Sequence, residues 1–293
     1  MIQNDIFVKI IFFKKSFIRS FIKTILITGA SGGLGKEIAI HFSKKNWNVI
    51  ATMICISECN VFEGIPNIKC YELNVISSES IEKAKNEILN DYKSIDVIIN
   101  NAGIGYRSFV ELSEDDKIDA IVNVNWLGVV KVCRAFIPHF REQMKGHFIN
   151  ITSIAGLVNL PLGSFYHPTK KAVESFSECM AYELLDFNIS VSTVQFGNTP
   201  SNFQNNVAKC EQSTIQSYAK MMQSIDGIMN RKTSDNNDLS EAILDKLYKI
   251  AENPSRRFKK YSIGFDANLM KYLRKFLGYR LFDRLIRRYV LSK

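Results

Sequence analysis

Tyr166 and Lys170 stand four residues apart, one helical turn, so on a helix they share a face. An ammonium held beside a phenol stabilises the phenolate and lowers a tyrosine pKa from its ordinary value of ~10. A tyrosine so placed can give or take a proton near neutral pH. Ser153, thirteen positions upstream, has a hydroxyl that could bond the same substrate oxygen if a separate strand end delivered it. A Tyr-x-x-x-Lys pair arises by chance in many chains, so its meaning depends on the elements that must position it.

Those elements read as alternating strands and helices. Lys23 to Thr28 has the pattern of a buried parallel strand. Gly29-Ala-Ser-Gly-Gly33-Leu-Gly35 follows, then a helix with Ile38, Ala39 and Phe42 on one face. Strand, glycine turn and helix in that order form a dinucleotide-binding unit. The glycines allow close approach, and the helix N-terminus favours a phosphate. The spacing is Gly-x-x-x-Gly-x-Gly and not Gly-x-Gly-x-x-Gly. Further strands are predicted over Trp47 to Thr52, Ile68 to Leu73, Ile95 to Ile99, His147 to Ile151 and Ser190 to Gln195. The fourth runs into Asn100-Asn101-Ala102-Gly103 and the fifth into Ser153, at the strand ends where open α/β sheets bind ligands. Tyr166 to Leu185 reads as a long helix. The alternation implies an α/β fold, a doubly wound parallel sheet in a single domain.

Composition sets limits on the function. The chain has 293 residues and a net charge of +9, unevenly placed. Residues 255–293 carry twelve Lys/Arg against two Asp, and residues 1–23 five against one, which leaves −5 on 24–254. A slightly acidic body with basic ends argues against a nucleic-acid-binding protein and for a surface role of the termini. Residues 1–22 form a basic, apolar extension with no apolar run near the ~18 residues of a spanning helix. From Asp266, apolar residues recur at helical spacing on both sides of Gly278, opposite Lys271, Arg274, Arg280, Arg284, Arg287 and Arg288. Both ends read either as amphipathic segments on an anionic membrane surface or as helices packed on the domain. The six cysteines lack a Cys-x-x-Cys and do not resemble a disulfide framework, so a reducing cytosol is expected. The four histidines have no metal-ligand spacing. Residues 198–237 show no clear strand and are placed to cover a substrate.

As a set, these motifs resemble the short-chain dehydrogenase/reductase family. Thr28 to Gly35 matches its cofactor loop, Asn100 to Gly103 the segment beside the adenosine half, and Asn125, Ser153, Tyr166 and Lys170 its catalytic set. The run from Tyr166 to Ser177 looks like the subgroup acting on steroids, retinoids and other lipophilic alcohols or ketones. The resemblance implies a Rossmann-like domain over residues 23–265, hydride transfer between NAD or NADP and a carbonyl or secondary alcohol, and a homo-oligomer. Tyr166 would handle the proton and Ser153 hold the oxygen. Lys170 would lower the Tyr166 pKa and hold the nicotinamide ribose, and Asn125 would fix a water beside Lys170. Thr28, Gly29, Ser31, Gly33, Leu34, Gly35, Asn74, Asn101, Ala102, Gly103, Gly197 and Thr199 would line the cofactor. The chain departs from the pattern at Phe196, where the family has proline before Gly197, and at Asn74, where it has aspartate. Neither an acid for NAD nor an arginine for NADP follows the second strand, and Lys36 gives a lean to NADP. A non-catalytic nucleotide-binding scaffold and a methyltransferase are the competing readings.

Overall fold

Alternation within the strands dictates the architecture. In β1 (Thr24–Thr28) Ile25 and Ile27 enter one buried cluster and Leu26 another. The same division recurs in β2 (Asn48–Met53), with Val49 and Ala51 against Ile50, and in β4 (Val97–Asn100), with Val97 and Ile99 against Ile98. A strand apolar on both faces has to be covered on both. Helices α1 (Gly33–Lys44) and α7 (Glu241–Glu252) cover one face with Ile38, Ala39, Phe42, Leu244 and Leu247. Helices α2 (Ser78–Asp91), α4 (Gly128–Glu142) and α5 (Tyr166–Glu183) cover the other with Ile81, Ile88, Val132, Phe136 and Val173. The computed structural model describes residues 22–197, 207–209, 215–230 and 240–290.

The sheet is parallel, in the order β3-β2-β1-β4-β6-β7-β9, where β3 is Ile68–Glu72, β6 Gly146–Ser153, β7 Ile189–Phe196 and β9 Lys259–Ile263. The doubly wound sheet expected from sequence is therefore present. Chain order reverses at β1, so a crevice opens between the C-terminal ends of β1 and β4. Asn100 at the tip of β4 donates to Asn150 of β6 at 2.8 Å, a buried amide pair holding the strand ends together.

Three strands escaped the sequence reading. Edge strand β9 begins with exposed Lys259 and Lys260 and lacks an apolar run. Strands β5 (Tyr106–Arg107) and β8 (Ala208–Lys209) hold two residues each, too few for any period. They pair beside the sheet, and β8 corrects the expectation of no strand between 198 and 237. The cysteine reading is also corrected: Cys59 and Cys70 form a disulfide. The segment Ile56–Phe62 folds back over edge strand β3, an approach that an eleven-residue separation does not signal. That removes one ground for expecting a reducing compartment.

The helical run Asp115–Glu142 comprises α3 (Asp115–Val122), a π-turn over Asn123–Leu127, and α4. By length and composition it is apolar enough to cross a bilayer, yet Val132, Phe136 and Phe140 of α4 are wholly buried in the core. The C-terminal helix α8 (Phe265–Val290) kinks at Gly278, whose φ of 61° is left-handed. Ala267 and Phe282 are buried, whereas Phe265, Phe276 and Tyr279 are 84%, 77% and 72% exposed. The pair of helices expected around Gly278 thus lays only part of its apolar surface on the domain.

Candidate active site

The glycine turn is built on the backbone around Thr28. Its hydroxyl accepts from the amides of Asn101 and Ala102 at 3.0 and 3.1 Å. The Asn101 side chain donates to the carbonyls of Thr28 and Gly29, both at 3.0 Å. These bonds lock the β1 turn to the β4 turn. Gly29 has φ +64°, and a Cβ there would lie 2.9 Å from the Ala102 Cα. A Cβ on Gly35 would overlap the Gly29 carbonyl oxygen and come within 2.6 Å of Asn101 Nδ2.

The N-terminus of α1 is left open. Gly32 precedes it with no side-chain cap, and the first turn has no acidic residue. A Cβ at Gly32 or Gly33 would meet nothing within 4 Å. Uncapped amides facing open space, with the helix dipole behind them, suit a pyrophosphate. The donor set and the cradle therefore fit a dinucleotide. Ser31 and Leu34 are partly buried within this loop. Ile54 follows β2 and is exposed, and Asn74 uses its side-chain oxygen to accept from the Ile76 amide at 3.2 Å.

Ser153, Tyr166 and Lys170 converge where β6 ends and α5 begins. Ser153 closes β6, and its hydroxyl accepts from the Ala155 amide at 3.2 Å. Ser153 also hydrogen-bonds Tyr166, the first residue of α5. His167 braces the intervening loop, with Nδ1 2.6 Å from the Val158 carbonyl and 3.1 Å from that of Ala155. One turn along, Lys170 is buried, and its Nζ donates to the Ile151 carbonyl at 3.2 Å and lies 5.8 Å from the Tyr166 ring centre. Asn125 occupies the π-turn, where a widened helical turn aims its amide inward. It accepts from the Ile104 amide at 2.8 Å and donates to the Ile104 carbonyl at 2.9 Å. A Cβ on Gly103 would lie 3.3 Å from Asn125 Oδ1 and 3.6 Å from Lys170 Nζ, so all three residues meet.

The electrostatics differ from the simple expectation for Tyr166. Burial pushes its phenol up to about 12, against the opposing effects of the Ser153 hydrogen bond and the Arg107 charge. Burial also pushes Lys170 down to about 8, opposed by the carboxylate of Glu174. Tyr166 is thus a protonated donor at neutral pH, and its net shift is upward where the spacing led to the expectation of a downward one. Two residues of this environment were missed from sequence. Glu174, one turn beyond Lys170, is buried and accepts from Thr152 at 2.5 Å, Thr193 at 2.8 Å and Gln195 at 3.1 Å. Its i+4 spacing from Lys170 was the available signal. Arg107 lies on two-residue β5 and carried none.

Of the remaining sequence-predicted residues, Gly197 donates its amide to the Ile263 carbonyl at 3.1 Å, next to Asp266, and Thr199 lies outside the described residues. A cleft of about 390 Å³ is lined by Phe109, Glu111, Leu162, Ser164 of the loop preceding α5, Tyr218 and Met221 among others. Phe109 stacks on Tyr218 of α6 (Gln216–Asn230) at 3.9 Å.

The family of short chain dehydrogenases matches residues 23–212, the stretch that contains the whole of this constellation. The chain belongs to that family. Its relatives include a 3-ketodihydrosphingosine reductase of Bacteroides thetaiotaomicron, 37% identical over 62% of this chain and 66% of the relative. Human retinol dehydrogenase 8 is 30% identical over 62% of this chain and 60% of its own length. The matched region is thus less than two thirds of the length of these relatives. Among solved structures, a short chain dehydrogenase/reductase of Burkholderia phymatum in complex with NAD superposes with a TM-score of 0.74 at 19% identity, over 87% of this chain and 94% of that one. At that identity the likeness is one of fold.

Proposed function

We propose that this protein is an NAD(P)-dependent oxidoreductase acting on the carbonyl or secondary alcohol of a lipophilic small molecule. The observation that carries the reading is the meeting of Ser153, Tyr166, Lys170 and Asn125 at the strand ends, beside an uncapped glycine-loop helix. A bound nicotinamide would supply or take the hydride. Ser153 holds the substrate oxygen, and Tyr166 gives its proton to that oxygen on reduction or takes it on oxidation. Lys170, buried and cationic, favours the phenolate that results, and Asn125 holds the backbone turn against it. Asn101, Ala102, Gly103 and Gly197 form the wall along which the cofactor lies. The test is consumption of NADPH or NADH with a panel of ketones. Cofactor binding without turnover of any of them would favour the scaffold reading instead.

The lipophilic substrate is supported by the apolar cleft and by the names of the Bacteroides and human relatives. Helix α6, within the stretch 198–237, covers the cleft. The same reading keeps the protein a homo-oligomer.

Two expected results refine the proposal. With no acid or arginine after β2 and Lys36 past the glycine loop, NADPH is preferred mildly. A Kd for NADH about tenfold tighter, near 1.4 kcal/mol, overturns that preference. Since Lys170 titrates near 8 and Tyr166 near 12, both are protonated at pH 7. The free-enzyme parameter kcat/KM for ketone reduction is therefore flat below about pH 8 and falls above it as Lys170 loses its charge. A rate that rises through pH 9 contradicts this assignment.

The protein further works at a membrane surface. Exposed Phe265, Tyr272, Phe276, Tyr279 and Leu281 on α8 stand among Lys271, Arg274, Lys275, Arg280 and Arg284. Ile286 of the same helix packs on the cluster of Phe109, Leu162 and Ile225 beside the cleft. Each basic residue near anionic lipid contributes about 1 kcal/mol. Sedimentation with anionic vesicles at low salt, and its loss at high salt, is the expected result. Protein left in the supernatant with anionic vesicles at low salt makes the tail a purely structural element.

A further inference from the structure

Glu174 of α5 is buried, and the proposed hydride and proton transfers leave its carboxylate without a task. Burying a charge is costly unless hydrogen bonds and an opposite charge offset it. The hydrogen bonds come from two strands. One carboxylate oxygen accepts from the Thr152 hydroxyl of β6 and from the Gln195 amide of β7 at 3.1 Å, and the other from the Thr193 hydroxyl of β7 at 2.8 Å. Gln195 is fixed in turn, because its own oxygen accepts from Ser262 of β9 at 3.0 Å. All three partners donate, which suits an ionised carboxylate and holds it in one orientation. The opposite charge is Lys170, one helical turn back on the same face, and both residues are 6% exposed. A Cβ on Gly156 would lie 3.4 Å from Glu174 Cγ and 3.5 Å from the Lys170 carbonyl oxygen, so the turn after β6 packs over this stretch of helix. The other groups that face Lys170 are the Ile151 carbonyl of β6, Asn125 of the π-turn and Gly103 after β4, none of which titrates. Tyr166 shares its helix, and Arg107 of β5 acts on Tyr166. Glu174 is the charge whose field favours the Lys170 cation, against a burial that disfavours it.

We propose that Glu174 is a positioning residue for the reaction: a fixed, buried carboxylate that keeps Lys170 cationic and in place beside Tyr166. Through Lys170 it favours the phenolate that forms when Tyr166 gives up its proton. The inference rests on the oxidoreductase reading above and adds to it a residue that acts only through the lysine. Charge and hydrogen bonding can be separated at this position. In Glu174→Gln the amide oxygen can accept from Thr152 and Gln195 while the amide nitrogen donates to the Thr193 hydroxyl, so the bonds to both strands are kept and only the charge is lost.

The experiment takes two readouts on the whole chain. The first is the titration of Lys170 itself, followed by NMR of lysine carrying carbon-13 at Cε, with its signal identified by its loss in Lys170→Met. The second is the alkaline limb of kcat/KM for reduction of a ketone that the panel above shows to be turned over. In the wild type both midpoints lie near 8. Glu174→Gln moves both down by about one pH unit or more, because losing the opposite charge favours the neutral amine. Glu174→Asp keeps the charge and recovers most of that shift. A second neutral variant, Glu174→Met with Thr152→Val and Thr193→Val, removes the charge together with the hydroxyls that serve it, and it shows the same downward shift should Glu174→Gln fail to fold. A Lys170 midpoint left in place in a folded neutral variant overturns the proposal. So does a midpoint that moves while the kcat/KM limb stays, which would separate the lysine charge from the reaction. So does an equal loss of rate at every pH in the Gln and Asp variants alike, the mark of a structural residue. Failure of every ketone with both cofactors brings down the oxidoreductase reading and the role in the reaction with it, and the NMR titration then still decides whether Glu174 holds the Lys170 charge.

Discussion

Tyr166→Phe is expected to lower turnover by roughly 10²–10⁴-fold while leaving cofactor affinity within a few-fold of the wild type. In the proposed reaction the phenol exchanges a proton with the substrate oxygen, since Ser153 already accepts from the Ala155 amide and bonds the tyrosine itself. Removing the hydroxyl keeps the ring, its edge contact with His167 and its place over Lys170. The loss should therefore fall on kcat and not on folding or KM for the cofactor. Near-native turnover by the phenylalanine variant, with any identified substrate, would mean that the proton comes from elsewhere.

Gly35→Ala is expected to be among the most damaging glycine-to-alanine changes in the described residues, because it meets backbone. Its Cβ would overlap the Gly29 carbonyl oxygen and press on Asn101 Nδ2, so the turn after β1 has to move. That turn is the point where Thr28 and Asn101 fasten β1 to β4, and shifting it disrupts four hydrogen bonds together. Overpacking at a rigid backbone site costs about 1–3 kcal/mol or more, enough to lower the Tm by several degrees and to weaken cofactor binding severely. Gly32→Ala is the control, because its φ of −161° suits any residue and its Cβ meets no protein atom. Its Tm should match the wild type. Comparable thermal stability of the Gly35 variant and the wild type would show that the glycine loop is not held as described.

The parts of this molecule that were legible in sequence are those encoded in contiguous patterns. Strands such as β1 and β2 are apolar on both faces, so a run like Thr24–Thr28 announces a covered parallel strand. Ser153, Tyr166 and Lys170 were legible because a strand end and one helical turn set their spacing. What was not legible depends on distant residues meeting. Arg107 acquires its position from pairing with a strand a hundred residues away, and Cys59 finds Cys70 only because the intervening segment folds over an edge. The polar edge strand β9 gains its identity from β7 alone, with Lys259–Ile263 in register on Ser192–Phe196. The direction of the Tyr166 shift was misjudged for a related reason: spacing brings the ammonium near but says nothing of how thoroughly both groups are removed from water.

The most direct test of the central claim follows the hydride itself. Reduced nicotinamide cofactor carrying deuterium at the transferable position is incubated with the protein and a ketone, and the alcohol is weighed by mass spectrometry. The account predicts an alcohol heavier by one deuterium, formed by the wild type and lost with Tyr166→Phe. Binding of NADPH and NADH with no labelled alcohol from any ketone, charged or neutral, would contradict it and leave a nucleotide-binding protein without the reaction.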